Sequence, residues 1–180
     1  IQEGASAYQI DLMAKSFIEG QGAAPGFLGY QGYKYSTCIS KNEEIVHGIP
    51  SEDKLFYDGD IVSIDIGVRY NGFYADAART FLIGNVSKDA QFLAQVTETS
   101  FFESMKGITA GSRLGDISNG IQSYVESNGL TIVKDLYSHG IGKELHEEPL
   151  IPNYGKKGQG VKLKPGMTFA IEPMVNLGVA

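Results

Sequence analysis

The sequence predicts a mixed α/β (α+β) fold, in which two related helix–strand–hairpin halves surround a central antiparallel sheet. Three observations support this prediction: a β-hairpin pattern in residues 59–76, amphipathic helices near residues 4–19 and 112–129, and self-similarity at a spacing of 107 residues. A chain of 180 residues is long enough for one sizeable core. We therefore expect residues 1–180 to form a single domain.

The hairpin pattern centres on Asn71-Gly72, a dipeptide that favours a two-residue type I′ turn. With this turn, Asp65 and Asp76 are diagonal neighbours on one face, about 7–8 Å apart at the backbone. Two converging carboxylates with no basic residue between them favour a bound cation, although strand aspartates on a solvated face are also common. The opposite face is expected to be core, with Val62, Ile64, Ile66, Val68, Ala75, Ala77 and Phe81.

Apolar periodicity predicts three helices. The first, in residues 4–19, is expected to bury Ile10, Met13, Ala14 and Phe17. The second, in residues 88–106, is expected to bury Phe92, Leu93, Val96 and Met105. The third begins after a cap at Ser112, ends at Gly129 and is expected to bury Leu114, Ile117, Ile121 and Val125. Further extended segments are expected at residues 37–40, 44–47, 131–137 and 167–175.

A repeat relates residues 4–83 to residues 111–180, with the C-terminal part of the second half expected to be missing. A shift of 107 residues aligns the glycines and apolar positions of the two helices, and it aligns Asp65 with Glu172. Two His-x-x-Pro motifs, at residues 47–50 and 146–149, do not follow this shift. An internal duplication would bring acidic residues together near a pseudo-twofold axis; chance matches among small residues are the alternative.

Composition and charge exclude several function classes. A net charge of −6 and a pI near 5.0 argue against binding to a nucleic-acid backbone. One cysteine excludes an internal disulfide and fits a reducing, cytoplasmic location. No apolar run approaches transmembrane length.

Four residues are candidate metal ligands, and two histidines are candidate catalytic residues. Separately, each has an ordinary structural explanation, such as a hydrogen-bonded loop histidine or a glutamate at a strand end. Together, carboxylates and one imidazole suit two divalent cations that activate a bridging water. The remaining histidines can polarise a carbonyl or stabilise an oxyanion, which indicates metal-assisted amide hydrolysis. The ligands are Asp65, Asp76, His139 and Glu172, and the catalytic candidates are His47 and His146.

An ordered set of segments resembles the type I methionine aminopeptidases over nearly the whole chain. The segments are 29–33, 36–40, 42–44, 47–50, 60–65, 72–76, 139–142, 145–149 and 164–174. The resemblance implies the pseudo-twofold "pita-bread" fold and a catalytic domain with two divalent ions (Co, Mn, Fe or Zn). It further implies an enzyme that removes the N-terminal methionine from newly made polypeptides through a metal-activated water.

Residue by residue, the resemblance makes Asp65, Asp76, His139 and Glu172 four of the family's five metal ligands. His47 and His146 match its two histidines that contact substrate and stabilise the transition state. The pocket for the methionine side chain would include Tyr30, Tyr33, Cys38 and Leu145. The expected partners are a peptide or nascent chain and the ribosome, and the complete protein is expected to be a monomer without nucleic-acid or membrane binding.

Two departures from the family keep alternatives open. The family's fifth ligand, a bridging glutamate, belongs to a C-terminal strand that this sequence lacks, and the family's first helix is missing as well. One alternative is a non-catalytic pita-bread binding module. Another is a prolidase or aminopeptidase P with the same fold.

Overall fold

The computed structural model describes residues 1–178, which form two units. Unit 1 contains Ile1–Ser87 and Gly142–Leu145, and unit 2 contains Lys88–Ile141 and the described residues from His146 onward. Among the described residues, no helix combines the length and the apolar character needed to cross a membrane.

Unit 1 consists of one helix and a four-stranded antiparallel sheet. Its elements are α1 (Ala7–Gly20), β1 (Ala24–Pro25), β2 (Thr37–Lys41), β3 (Ile61–Tyr70) and β4 (Phe73–Leu82). Strand β3 pairs with β4 along one edge and with β1 and β2 along the other. The core joins α1 to β2 and β3 through Ala7, Ile39, Phe56, Val62, Ile64 and Ile83.

The predicted hairpin is confirmed in both turn and register. Asn71 and Gly72 have φ angles of 49° and 83°, the left-handed values that a type I′ turn requires at both central positions. Asp65 pairs with Ala78, and Gly67 pairs with Asp76. Asp65 and Asp76 therefore lie on one face of the sheet.

The predicted core on the opposite face is right for Val62 and Ile64 of β3, partly right for the half-buried Ile66 and Val68, and wrong for β4. Val62 and Ile64 are buried, whereas Ala75, Ala77 and Phe81 are exposed. The reason is that the core of unit 1 forms where α1 packs over β2 and β3. The alternation of side chains along β4 identified the two faces of this strand. It could not show that β4 lies outside the part of the sheet that α1 covers.

Helix α1 is at the predicted place but buries a different face. Met13 and Phe17 are 68% and 69% exposed, whereas Asp11 is 3% exposed. Asp11 Oδ1 accepts hydrogen bonds from Ser36 N–H (2.9 Å), Thr37 N–H (2.8 Å) and the Thr37 hydroxyl (2.8 Å). Asp11 thus faces inward because its carboxylate accepts hydrogen bonds from buried donors. The apolar periodicity of the helix therefore predicts the wrong buried face.

Unit 2 contains two helices and five short strands. These are α2 (Lys88–Met105), α3 (Leu114–Ser127), β5 (Thr131–Ile132), β6 (Tyr137–Gly140), β7 (Glu147–Pro152), β8 (Phe169–Ala170) and β9 (Val175–Asn176). Strand β6 lies between β7 and β8, and β5 pairs with β9. The core contains Val96, Leu114, Ile117, Ile121, Val125, Leu130, Ile132, Ile151, Leu163 and Val175.

The inward face of α3 is confirmed at all four predicted positions, but α2 differs. Val96 is buried, whereas Phe92 and Met105 are 41% and 38% exposed. The contact with α3 instead uses small residues: a Cβ added at Gly120 would lie 2.8 Å from the Cα of Ser104. The Ser104 hydroxyl is buried because it donates to the Phe101 carbonyl of its own helix.

The predicted cap of α3 is wrong by one residue. Arg113 is the N-cap, and its N–H donates to Asp116 Oδ2 at 2.7 Å. Gly158 N–H donates to the other oxygen of Asp116, also at 2.7 Å. The hydrogen bonds from Arg113 and Gly158 lower the pKa of this carboxyl. Ser112 Oγ accepts instead from Thr109 N–H.

The two long strands predicted in unit 2 are each divided into two short ones. Residues 131–137 contain β5 and the start of β6, separated by a bend at Lys134 and Asp135. Residues 167–175 contain β8 and the start of β9, with Glu172 between them. Pro173, which follows Glu172, has no N–H for a strand ladder.

Local equivalences between the two units support the proposed duplication. Helices α1 and α3 both have 14 residues and begin 107 positions apart. Backbone hydrogen bonds at the start of α1 recur at the same shift at the start of α3. Gly4 N–H donates to Phe56 O (2.8 Å), and the equivalent Gly111 N–H donates to Leu163 O (2.9 Å). Ala7 N–H donates to Lys54 O (2.9 Å), and the equivalent Leu114 N–H donates to Val161 O (2.9 Å). We retain the duplication of residues 4–83 and 111–180 as a proposal.

Asp60, just before β3, is a buried carboxylate with three hydrogen bonds. Its exposed fraction is 8%. Lys41 Nζ and Tyr57 N–H contact Oδ2 at 2.8 Å each, and Asn42 Nδ2 donates to Oδ1 at 2.8 Å. Burial opposes ionisation, but these hydrogen bonds outweigh it and lower the pKa of Asp60.

This lowered pKa predicts an acid-dependent loss of stability. The contribution of Asp60 is present above its unfolded-state pKa of about 4 and is lost as the pH falls through its lower folded-state pKa. Asp60→Asn is therefore expected to be less stable than the wild type at pH 7 and to lose less stability down to about pH 2.5. Urea denaturation across this range measures both. Asp135→Asn, at an exposed position, is the control; equal pH slopes for the wild type and Asp60→Asn would contradict the prediction.

Candidate metal centre

The acidic face of unit 1 is formed by three neighbouring strands. Asp65 on β3 pairs with Cys38 on β2 and with Ala78 on β4. Since directly paired residues point to the same side, Cys38, Asp65 and Asp76 share one face. Both aspartates are half-buried. The sheet thus brings together a thiol and two carboxylates that are far apart in sequence.

Burial and the two aspartates of this face raise the pKa of the Cys38 thiol. The thiol is 8% exposed, and burial raises its pKa to about 11, with further upward contributions from Asp65 and Asp76. A hydrogen bond with Tyr33 acts in the opposite direction. Burial likewise raises the pKa of Tyr33, whose hydroxyl donates to Thr37 O at 2.9 Å. The negative field that disfavours a thiolate here favours a cation.

Phe27 is a neighbour of the acidic face that the sequence analysis did not assign. It is 7% exposed, and its ring fills the space where Gly67 has no side chain. Gly67 pairs directly with Asp76, so the ring packs beside the acidic pair. A glycine within a strand often marks such a close approach, which is the sequence feature that could have indicated Phe27.

Two further predicted pocket residues lie elsewhere in unit 1. Tyr30 begins a short 3₁₀ turn, Tyr30–Gly32, and is half-buried. Leu145 is 1% exposed. The segment that contains Leu145 is attached to the start of β4, because Tyr74 N–H donates to Gly142 O at 2.7 Å. Their assignment to the methionine pocket stays a prediction.

His47 lies in a loop, so the predicted extended segment 44–47 is wrong. Its φ of 57° is in the left-handed region, which a non-glycine residue occupies only at a cost. The next residue anchors the loop to β2: Gly48 N–H donates to Ser40 Oγ at 3.1 Å, and Gly48 O accepts from Ile39 N–H at 2.8 Å. A Cβ at Gly48 would overlap the Ile39 carbonyl. The anchored backbone presents His47 as an exposed side chain.

In unit 2, the structure brings three predicted residues together. His139, on β6, is 4% exposed, and its Nδ1 lies 2.8 Å from Gly140 O. Because a carbonyl can only accept, this contact assigns a proton to Nδ1. Nε2 then faces Glu172 Oε1 at 3.2 Å. The exposed ring of His146 meets that of His139 edge-on, with 4.3 Å between centroids.

Two polar residues that were not predicted as part of the site hold Glu172. Its N–H donates to Ser138 Oγ at 2.8 Å, and its carbonyl accepts from Asn153 Nδ2 at 2.7 Å. Both partners are completely buried. No sequence motif marks them, because Asn153 and Glu172 are 19 residues apart.

The chemistry of the donors fits divalent cations. Unit 1 has two carboxylates on one face, and unit 2 has an imidazole nitrogen beside a carboxylate. Oxygen ligands with one nitrogen suit Mn, Fe, Co and Zn. His139 Nε2 and Glu172 Oε1 lie 3.2 Å apart, so a single cation could contact both atoms.

Comparison with known proteins identifies the family. The sequence matches metallopeptidase family M24 over residues 1–179. It is 49% identical over 178 residues to a methionine aminopeptidase of Clostridium perfringens, covering 99% of this chain and 71% of that protein. The crystal structure of the methionine aminopeptidase from Thermotoga maritima has a TM-score of 0.97 and 47% identity, covering 99% of this chain and 72% of that chain.

A more distant structural relative tests the prolidase alternative. The structure of an Xaa-Pro dipeptidase from Bacillus anthracis has a TM-score of 0.81 but only 25% identity. The match covers 96% of this chain and 46% of that chain. These similarities confirm the predicted α/β pita-bread fold and the resemblance to methionine aminopeptidases. The chain therefore belongs to metallopeptidase family M24.

Proposed function

We propose that the chain is a metal-dependent aminopeptidase that removes the N-terminal methionine from newly made polypeptides. The observation that carries this proposal is its 49% identity, over 99% of its length, to a methionine aminopeptidase. The donor types in both units agree with it. A prolidase or aminopeptidase P is not favoured, because identity to an Xaa-Pro dipeptidase is only 25%. A non-catalytic module is not favoured, because the relatives at 47–49% identity are named as methionine aminopeptidases.

We propose Asp65, Asp76, His139 and Glu172 as the ligands of two divalent ions (Co, Mn, Fe or Zn). Support comes from the family, from the acidic face of unit 1 and from the His139–Glu172 pair of unit 2. Divalent ions bound there would acidify a water and polarise the scissile carbonyl. The protein's contribution is to hold His139 in the tautomer with Nδ1 protonated, because Gly140 O accepts from that nitrogen.

His47 and His146 are the proposed catalytic residues. Both are exposed, so both are accessible to a peptide. Each can donate a hydrogen bond to a carbonyl oxygen as negative charge develops on it, or exchange a proton with the departing amine. His146 contacts the ring of His139 and thus acts beside a proposed ligand.

The proposed methionine pocket uses Tyr33 and Cys38, and we add Phe27 because its ring packs beside Gly67 on the acidic face. With a pKa of about 11, Cys38 stays a neutral thiol at pH 7 and offers a polarisable, weakly polar surface. Aromatic rings make favourable contacts with a thioether sulfur. Tyr30 and Leu145 remain proposed members on the basis of the resemblance.

Release of methionine from the peptide Met-Ala-Ser tests the proposed function. Mn²⁺ or Co²⁺ is added at one and two equivalents, with Leu-Ala-Ser and the dipeptide Ala-Pro as competing substrates. We expect metal-dependent cleavage of Met-Ala-Ser only, and a second rise at two equivalents if two ions are needed. Selective cleavage of Ala-Pro would instead identify a prolidase, and peptide binding without cleavage would identify a binding module.

Cellular aspects of the proposal rest on the resemblance alone. They are a cytoplasmic location, contact with the ribosome and a monomeric state. Co-sedimentation with ribosomes and analytical ultracentrifugation measure the last two directly.

A further inference from the structure

Glu172 is held by a closed set of buried side-chain hydrogen bonds. Its N–H donates to Ser138 Oγ, the Ser138 hydroxyl donates to Asn153 Oδ1 at 2.9 Å, and Asn153 Nδ2 donates back to the Glu172 carbonyl. Every polar side-chain atom of Ser138 and Asn153 thus takes part. We call this three-residue arrangement the Glu172 clamp.

The clamp lies where strand pairing stops. Strand β8 ends at Ala170 and β9 begins at Val175, so the backbone of Glu172 belongs to neither ladder. A buried backbone N–H and C=O must nevertheless find partners. Ser138 lies within β6, and Asn153 directly follows β7, so side chains from β6 and from the end of β7 supply the missing hydrogen bonds.

The clamp also connects two proposed metal ligands. Ser138 and His139 are consecutive on β6, and their side chains point to opposite faces of the strand. Ser138, whose hydroxyl accepts from the backbone of Glu172, is bonded directly to His139 in the chain. The Nε2 atom of His139 lies 3.2 Å from Glu172 Oε1. A backbone shift at Glu172 would change this distance directly.

We infer that Ser138 and Asn153 are positioning residues that set the distance between the metal ligands His139 and Glu172. The inference rests on the proposed function, since it assumes that these two residues bind a metal. The polar side-chain atoms of Ser138 and Asn153 bond to one another and to the backbone of Glu172, so we do not propose them as metal ligands. Their effect is transmitted through the backbone of Glu172, in the way that hydrogen-bonded neighbours orient ligands in other metal sites.

Two variants of the full chain test the inference. Ser138→Ala removes the hydroxyl, and Asn153→Asp keeps the Oδ1 acceptor while it replaces the Nδ2 donor with an oxygen facing the Glu172 carbonyl. We expect Co²⁺ affinity, measured by calorimetry, to fall about 10- to 100-fold in each variant. We also expect the visible absorption of bound Co²⁺ to change in band position and intensity, because that spectrum reports ligand geometry.

Ser118→Ala is the matched control. Ser118 is 3% exposed, and its hydroxyl donates to Leu114 O within α3, so the same atom is removed without contact to Glu172. The control is expected to lose some thermal stability without metal but to keep the Co²⁺ affinity and spectrum of the wild type. A clamp with a merely structural role would make Ser138→Ala behave in the same way.

The outcomes separate this inference from the proposed function. If the wild type binds Co²⁺ and both variants bind it equally well with an unchanged spectrum, the inference is overturned and the proposed function stands. If the wild type binds no Co²⁺ and releases no methionine, the proposed function fails, and the inference fails with it. Weaker binding with an altered spectrum in both variants, and not in Ser118→Ala, supports the inference.

Discussion

Asp76→Asn is expected to lower kcat/KM for Met-Ala-Ser by more than about 100-fold. Asp76 lies on the acidic face of unit 1, and the substitution replaces a carboxylate oxygen of this proposed ligand with a neutral amide. Substitutions of residues that only support metal ligands already cost about 10- to 100-fold, so loss of a ligand's charge costs more. Initial rates at saturating Mn²⁺ measure the effect, and calorimetry measures the accompanying loss of metal affinity.

Asp53→Asn is the matched control for Asp76→Asn. Asp53 belongs to the same unit and is exposed, so the same chemical change is made away from the acidic face. The control is expected to keep the wild-type rate. Circular dichroism verifies that both variants are folded. Wild-type kcat/KM in folded Asp76→Asn would exclude Asp76 as a metal ligand.

Asp11→Ala is expected to lower the free energy of unfolding by about 3 kcal/mol or more. The substitution leaves the N–H groups of Ser36 and Thr37 and the Thr37 hydroxyl without their acceptor, in a region where both residues are completely buried. Each buried donor without a partner costs about 1–3 kcal/mol. Asp11→Asn retains Oδ1 and is expected to cost less. Urea denaturation measures the difference.

Glu3→Ala is the control for Asp11→Ala. Glu3 is an exposed acidic residue near α1, and its removal is expected to change the stability by less than about 0.5 kcal/mol. If Asp11→Ala were as stable as Glu3→Ala, the three hydrogen bonds to Asp11 would have no net stabilising role.

Features with a local cause could be predicted from the sequence. The hairpin of β3 and β4 follows from the left-handed preference of Asn71-Gly72, and its register places Asp65 and Asp76 on one face. Helix α3 follows from a regular apolar face that is buried at every predicted position. In both cases, the residues that determine the structure are close to one another in sequence.

Features that depend on distant partners could not be predicted. Asp11 faces inward on α1 because of Ser36 and Thr37, which are 25 and 26 residues away. Met13 and Phe17 are therefore exposed, although their spacing suggests a buried face. Periodicity identifies a helix but does not show which polar side chain has a buried partner.

The candidate site shows the same division. Its proposed ligands came from residue type and resemblance, and the structure brings His139 and Glu172 together. The Glu172 clamp was missed because it depends on Ser138 and Asn153, which are 34 and 19 residues from Glu172. A continuous strand at 167–175 would have satisfied the backbone of Glu172 by strand pairing, so that prediction gave no reason to expect side-chain partners.

The two-residue turn at Asn71-Gly72 has a consequence for the order of folding. A hairpin closes over a very short loop and forms within about 1–10 μs, whereas the contact between Asp11 and Thr37 must close a loop of 26 residues. The turn therefore favours early pairing of β3 with β4. Asp65 and Asp76 then become neighbours before the Asp11–Thr37 contact joins α1 to β2. A divalent ion that is present during refolding can therefore bind to the two aspartates early in folding.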